Sequence, residues 1–243
     1  MTASVTGIGA LDPTLPITPQ IYRILRDRII HNDLTPGNRI SESEIAALHQ
    51  VSRQPVREAF IKLAEQGLLA VRPQRGTIVN KIAYSVVLDA RFLREAIEAD
   101  IVSILAQSPD AGLVSNLRKQ LDVQRALDPK DSSDFIHLDE RFHFTLAAAA
   151  GKGGAWKQVE GLKSQMDRVR YLSLSQFPVA KLIGQHEAIV DHIADGDRRG
   201  ANVAIRTHLR EVLSDLTQIV AAHPEFFDLP AGELPQPVNA PIL

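Results

Sequence analysis

The chain has 243 residues, 44% of them hydrophobic and 23% charged, a balance that supports one large buried core or two smaller ones. It has no cysteine, which excludes disulfides, thiolate zinc sites, iron–sulfur clusters and a cysteine nucleophile. No apolar stretch approaches the ~18 residues of a membrane span, and Met1 to Ala10 lacks the charged and apolar regions of a signal peptide, so a cytoplasmic protein is expected.

The net charge of -2 divides unevenly along the chain. Residues 17–80 carry nine Lys+Arg against six Asp+Glu, whereas residues 81–243 carry 18 against 22. A mildly basic segment joined to an acidic remainder suggests two domains with different partners.

In chain order, residues 1–16 hold Gly7, Gly9, Pro13 and Pro16 with little periodicity and are expected to form a mobile arm. Residues 17–80 read as three helices and a hairpin. Thr18 is the expected first cap, with Pro19 in the first turn and a stripe of Ile21, Ile24, Leu25 and Ile29 behind it. Pro36-Gly37 is a turn, and Ser41 with Glu44 has the spacing of a capping box for a short helix through Leu48. Ser52 caps the third helix, whose buried face is Val56, Ala59, Phe60 and Leu63, and Gly67 ends it. Strands are expected at Leu68–Arg72 and Thr77–Asn80 around Pro73-Gln74-Arg75-Gly76.

Residues 81–227 read as helical throughout, with helices near 84–107, 111–127, 133–149, 154–175, 179–195 and 197–222. Pro109, Pro129, Gly151, Pro178 and Gly196-Asp197 stand at their breaks. Six amphipathic helices with short connections make an antiparallel bundle, so the chain is mainly α. From Asp228 the sequence has four prolines and no stripe, and residues 228–243 are expected to be a tail.

The third helix sets Arg53, Gln54 and Arg57 on the face opposite Val56, Phe60 and Leu63. An arginine fork can take guanine O6 and N7 together, worth about 1–3 kcal/mol of discrimination. A short capped helix precedes it, as in a motif that lies across the DNA backbone. Arg75-Gly76 tips the hairpin, where glycine permits a tight turn and arginine can reach phosphate or minor groove. Two arginines on one helix are ordinarily a solvated face; the ordered set of capped helix, turn, arginine helix and basic hairpin argues otherwise.

The text VSRQPVREAFIKLAEQGLLAVRPQRGTIV resembles the winged helix-turn-helix of the GntR family of bacterial repressors, and the resemblance covers residues 17–80. It implies DNA contacts from Ser52, Arg53, Gln54, Arg57, Arg75 and Gly76, and Arg39 joins this candidate set. Gln54 stands where threonine is usual, and Ser43 where an arginine is common. Double-stranded DNA with a palindromic operator is the expected partner of a homodimer.

In the second block, Asp139 and His143 lie four apart on one helical face. His186 and His208 stand on two helices expected to be antiparallel neighbours. One carboxylate and three imidazoles suit zinc, nickel, manganese or iron. His31, His49, His137, His192 and His223 are read as ordinary surface or core histidines.

This text resembles the all-helical FCD ligand-binding domain of the FadR subfamily of GntR regulators, over about residues 84–222. The landmarks are Arg94 and Glu98; Asp139, Phe142 and His143; Gln185, His186 and Ile189; Gly196-Asp197; and His208-Leu209. Gln185 stands where glutamate is common. The resemblance implies a divalent metal, zinc foremost, on Asp139, His143, His186 and His208. It also implies a small carboxylate effector paired with Arg94, for which Arg170 is a second candidate. Glu98 is read as holding Arg94 in place. The expected function is a metabolite-responsive transcription factor, a repressor and not an enzyme. The rival is a metalloenzyme on the same four residues, superoxide dismutase-like or hydrolytic. Against it, Trp156 is far in sequence from the ligands and no spare general base is evident.

Overall fold

A computed structural model describes residues 11–72, 76–127, 132–173, 179–211, 216–232 and 234. The four-residue recurrence of Ile21, Leu25 and Ile29 turns one face of α1 (Ile17–Ile30) inward. That face meets Val56, Ala59, Phe60 and Leu63 of α3 (Arg53–Glu65), with α2 (Glu42–Leu48) between them in the chain. Gly67, at φ +69°, reverses the chain after α3, where a side chain would be strained.

The hairpin of β2 (Leu69–Arg72) and β3 (Gly76–Val79) gains a third strand that its pattern does not show, β1 (Arg39–Ile40). The sheet order is β1-β3-β2, antiparallel, with Ala70 and Arg39 both opposite Ile78. Two residues are too few to display an alternating pattern, so β1 is visible only through its partner. This is the winged helix-turn-helix expected from the sequence, with the wing tip at residues 73–75 outside the described residues.

Several local expectations are corrected. α1 starts at Ile17, and Thr18 does not cap it; its hydroxyl donates to Glu58 on α3. Ser41 and Ser52 occupy N-cap positions in extended backbone, yet neither side chain makes a cap hydrogen bond. Ser41 Oγ lies 2.7 Å from Ser43 Oγ instead, so the capping box is not formed. Residues 11–16 fold back on the domain: Leu11 packs against its core, and Gln20 Nε2 donates to the Asp12 carbonyl. Residues 1–10 of the expected arm lie outside the described residues.

A short strand, β4 (Ile82–Ala83), leads into the bundle of α4 (Tyr84–Gln107), α5 (Ala111–Arg125), α6 (Ser132–Ala149), α7 (Gly153–Leu162), α8 (Ser164–Leu172), α9 (Val179–Ala194), α10 (Arg198–Glu211) and α11 (Leu216–Ala222). Gly196, at φ +71°, makes the tight reversal between α9 and α10. Two expected helices are divided. The 154–175 helix breaks at Lys163, whose buried ammonium is held by Asp167 and Glu140. The 197–222 helix is described as α10 and α11, with residues 212–215 between them outside the description. The expected tail begins later than Asp228, because β5 (Phe227–Asp228) pairs in parallel with β4.

α4 is the axis of the bundle, packed by α6, α7, α8, α9 and α10. Its buried side chains include Arg91, Arg94, Glu95 and Glu98, which an apolar stripe does not predict. Trp156, Phe142, Val102, Leu117 and Ile205 form the apolar core on one side of these charges. A second cluster at the junction of the two units joins Ile82, Tyr84, Met166, Val169, Leu216 and Phe227.

Leu25 is fully buried in the first core. Leu25→Ala is expected to destabilise the protein by about 2–5 kcal/mol, read as a lower denaturation midpoint. An unchanged midpoint would show that this face of α1 is not packed as described.

Candidate metal centre and nucleic-acid interface

On α3 the buried stripe dictates what remains outside. Ser52, Arg53, Gln54 and Arg57 are all exposed, with the last three on one helix surface as the spacing predicts. Arg53 lies 3.4 Å from Glu42 on α2, a largely exposed pair. Gln54 Nε2 donates to Glu58 Oε1, while Thr18 holds the other oxygen of that carboxylate. Arg57 makes no hydrogen bond or ion pair among the described residues, so its fork is available. Arg39 is exposed on β1, and Gly76 is exposed at φ +78° beside the wing tip. Arg75 lies outside the described residues.

The other four candidates meet in the bundle. Asp139 and His143 come from α6, His186 from α9 and His208 from α10, each no more than 2% exposed. One ligand atom from each lies within 4.8 Å of the other three. His208 Nε2 is 3.0 Å from His143 Nε2 and 3.2 Å from His186 Nε2. Asp139 Oδ1 is 3.3 Å from His186 Nε2 and 3.6 Å from each of the other two.

The opposite ring nitrogens decide what those inward atoms are. His143 Nδ1 lies 2.5 Å from Glu98 Oε2. His186 Nδ1 lies 2.9 Å from Gln124 Oε1, and His208 Nδ1 lies 3.2 Å from Gln185 Oε1. Gln124 Nε2 is committed to the Leu138 carbonyl, which turns its amide oxygen toward His186. The Nδ1 atoms of His186 and His208 face amide oxygens, which favours the Nδ1–H tautomer with Nε2 as the lone pair, whereas His143 Nδ1 is close to Glu98 but makes no hydrogen bond of good geometry among the described residues. Asp139 Oδ1 is buried without a hydrogen-bond donor among the described residues. Three ring nitrogens and a carboxylate oxygen facing one another are a donor set that fits a divalent cation.

The surrounding charges act differently on the three rings. Burial lowers the pKa of His186 and, more strongly, of His208, so both favour the neutral, ligating form. Burial also opposes charge on His143, but Glu98 and Asp139 outweigh it and raise its pKa. Burial pushes Asp139 up, and Arg170 with His143 outweighs that and holds it well below the usual carboxylate range. Glu98 is brought down to about 2 against its burial, by Arg94 and His143. Arg94 Nε donates to Glu98 Oε1 at 2.7 Å, as the sequence reading expected of this pair.

Arg170 is almost fully buried, with a terminal nitrogen 2.9 Å from Asp139 Oδ2. The two oxygens of Asp139 thus divide their work: Oδ2 faces Arg170 and Oδ1 faces the histidines. The rings are fixed by stacking, Phe142 on His186 at 4.3 Å and Trp156 nearly parallel to His143 at 6.3 Å. Trp156, distant in sequence, is adjacent in space. Gln124 and the roles of Gln185 and Trp156 were not found from sequence, because no local spacing links them to the histidines they support.

Both units match known protein families. Residues 17–79 match the bacterial regulatory proteins of the gntR family, and residues 89–211 match the FCD domain. The chain is 41% identical over 219 residues to the HTH-type transcriptional repressor RspR of Escherichia coli K12, covering 89% of this chain and 96% of that protein. It is 39% identical over 216 residues to an uncharacterized HTH-type regulator from an unstable DNA locus of Streptomyces ambofaciens, covering 88% and 91%. Among solved structures, E. coli McbR/YncC superposes with a TM-score of 0.70 at 18% identity, covering 84% of this chain and 98% of that one, a likeness of fold.

Gln124→Leu removes the acceptor of the His186 Nδ1–H. The expected result is a fall of about 10–100-fold in affinity for Zn2+, measured by competition with a chromophoric chelator. Wild-type affinity in this variant would mean that His186 is not oriented through Nδ1.

Proposed function

The chain belongs to the GntR family of bacterial transcriptional regulators, with an FCD domain following its helix-turn-helix, and we propose that it is a repressor of the FadR subfamily whose DNA affinity answers to a buried metal-and-anion sensor. The relatives identify a DNA-binding transcriptional regulator rather than an enzyme, and the metalloenzyme reading falls with them. Double-stranded DNA is the partner of the helix-turn-helix. In the proposed division, residues 17–80 read DNA and residues 81–227 sense and dimerise.

The observation that carries the sensor is the convergence of three Nε2 atoms and Asp139 Oδ1 in a buried cluster. Asp139, His143, His186 and His208 are the proposed ligands, with zinc the first choice and nickel, manganese or iron also compatible. When bound, the metal supplies a Lewis-acid position for a carboxylate oxygen. Arg94 is assigned to the effector: its Nε is engaged by Glu98, its terminal amino groups have no acceptor among the described residues, and the guanidinium matches a small carboxylate. Arg170, initially a second effector candidate, is assigned instead to holding Asp139, on the strength of their 2.9 Å contact.

Dimerisation is supported by the outer face of α4. Phe92 is 66% exposed there, and Leu93, Ala96 and Ile104 share its exposed surface. An apolar stripe left outside a bundle this size is a surface suited to a second copy. Two copies would present two α3 helices to a two-fold operator. A regulator of this kind works in the cytoplasm, and no described helix is long and apolar enough to cross a membrane.

Arg39, Ser52, Arg53, Gln54, Arg57, Arg75 and Gly76 are the proposed DNA contacts, with Arg57 reading a base. Arg57→Ala is expected to weaken binding to the protein's own operator by about 1–3 kcal/mol, with little change on random duplex at the same salt. Band-shift titrations on the two duplexes measure this. A matching loss on both would assign Arg57 to phosphate alone, and no salt-dependent binding by the wild type would remove the DNA-reading function.

A further inference from the structure

The sequence SQMDRVRYL of α8 is polar enough to be read as a surface helix, yet every residue from Ser164 to Arg170 is buried. The reason is its position, packed by α1 of the winged unit and by α4 of the bundle. At about 100° per residue, Gln165 and Arg168 fall on one side of the helix and Asp167 and Arg170 on the other. The second pair faces the sensor: Arg170 meets Asp139, and Asp167 meets Lys163.

The first pair faces the winged unit. Arg168 is 0% exposed, and no carboxylate lies within ion-pair distance of it among the described residues. One terminal nitrogen donates to the Asn80 carbonyl at 3.0 Å, and the other donates to Gln165 Oε1 at 3.3 Å. Its Nε has no acceptor among the described residues. The amides of Gln165 and Asn80 both donate to the Gly67 carbonyl at the end of α3, and Asn32, just after α1, donates to the carbonyl of Arg168 itself. Burial without a counter-charge lowers its pKa to about 10.

A buried cation without a counter-charge costs stability, and replacement by an apolar residue of similar volume is often neutral or better. What this guanidinium provides is geometry. Asn80 is the residue between the wing strand β3 and the bundle, one residue before Lys81 and β4. The donors of Arg168 therefore hold the segment that fixes where α3 sits relative to α4. The same segment is clamped from the other side by β5, through the Ile82–Phe227 and Ala83–Asp228 pairs.

We propose that Arg168 is the positioning residue that seats the winged domain on the sensor, and that α8 relays the state of the Asp139–Arg170 contact to Asn80. The relay rests on the metal reading of the Asp139 cluster. The seating rests on the contacts of Arg168 alone. Arg168 touches neither DNA nor the proposed ligands; it acts through the linker.

The test uses the full chain, stripped of metal and titrated with Zn2+ alone. Metal binding is followed by equilibrium dialysis, and amide hydrogen exchange by mass spectrometry over residues 76–84. In the wild type, Zn2+ is expected to slow exchange in this segment roughly tenfold, within the ordinary range of coupling between sites. Arg168→Met is expected to bind Zn2+ as the wild type does but to leave that segment unresponsive and already fast, with Arg168→Lys restoring part of the protection through its remaining donor. Zn2+ bound by the wild type with no change over residues 76–84 overturns the relay, whatever the variants do. A wild-type response in Arg168→Met overturns the assignment to Arg168. A wild type that binds no Zn2+ contradicts the metal reading and the relay together, and wild-type exchange in metal-free Arg168→Met then overturns the seating as well.

Discussion

Three imidazole Nε2 atoms and one carboxylate oxygen of Asp139 turn toward one another in a buried cluster. Gln124 and Gln185 orient His186 and His208 through Nδ1, and Glu98 lies beside His143 Nδ1. The arrangement is unfavourable unless positive charge sits at its centre. It also explains why the interior of the bundle is so polar. Arg94 must enter to balance Glu98, Arg170 to balance Asp139, and Lys163 to balance Asp167. Each of these ions is buried, so removing one partner leaves a charge whose desolvation is no longer compensated.

The two halves of the chain solve opposite problems. The winged unit is a small apolar core, with α1 and α3 packed face to face, and its polar groups are left outside where DNA can meet them. The FCD unit keeps an apolar core around Trp156 and Ile205 but sets a hydrogen-bonded ionic network beside it. α8 is where the two meet, and its polar sequence makes sense only because both neighbours supply hydrogen-bond partners to it.

Where the signal was local, the sequence could be read directly. The stripe of α1, the buried face of α3, the reversal at Gly67 and the breaks at Pro109 and Gly196 each follow from a few neighbouring residues. The four-residue step from Asp139 to His143 was visible for the same reason. Elements built by distant partners were not legible. β1 exists because β3 pairs with it, and β5 because β4 does. The break at Lys163 is a single residue in helical backbone, with i→i−4 hydrogen bonds from Lys163 to Val159 and from Asp167 to Lys163, so no interruption of the stripe marks it. Gln124 supports a histidine 62 residues away, and nothing in its neighbourhood marks it. The Ser41 capping box fails because the hydroxyl turns to Ser43, a choice between two nearby partners that the spacing leaves open.

The central claim is that the inward Nε2 atoms and Asp139 Oδ1 form a cation site. X-ray absorption at the zinc edge, on protein reconstituted with one equivalent of Zn2+, tests it most directly. The account predicts a first shell dominated by imidazole nitrogen at about 2.0–2.1 Å, with outer-shell scattering from three rings and at least one oxygen at about 2.0–2.2 Å. A shell of oxygen alone, without imidazole scattering, would place the ion elsewhere and contradict the cation site.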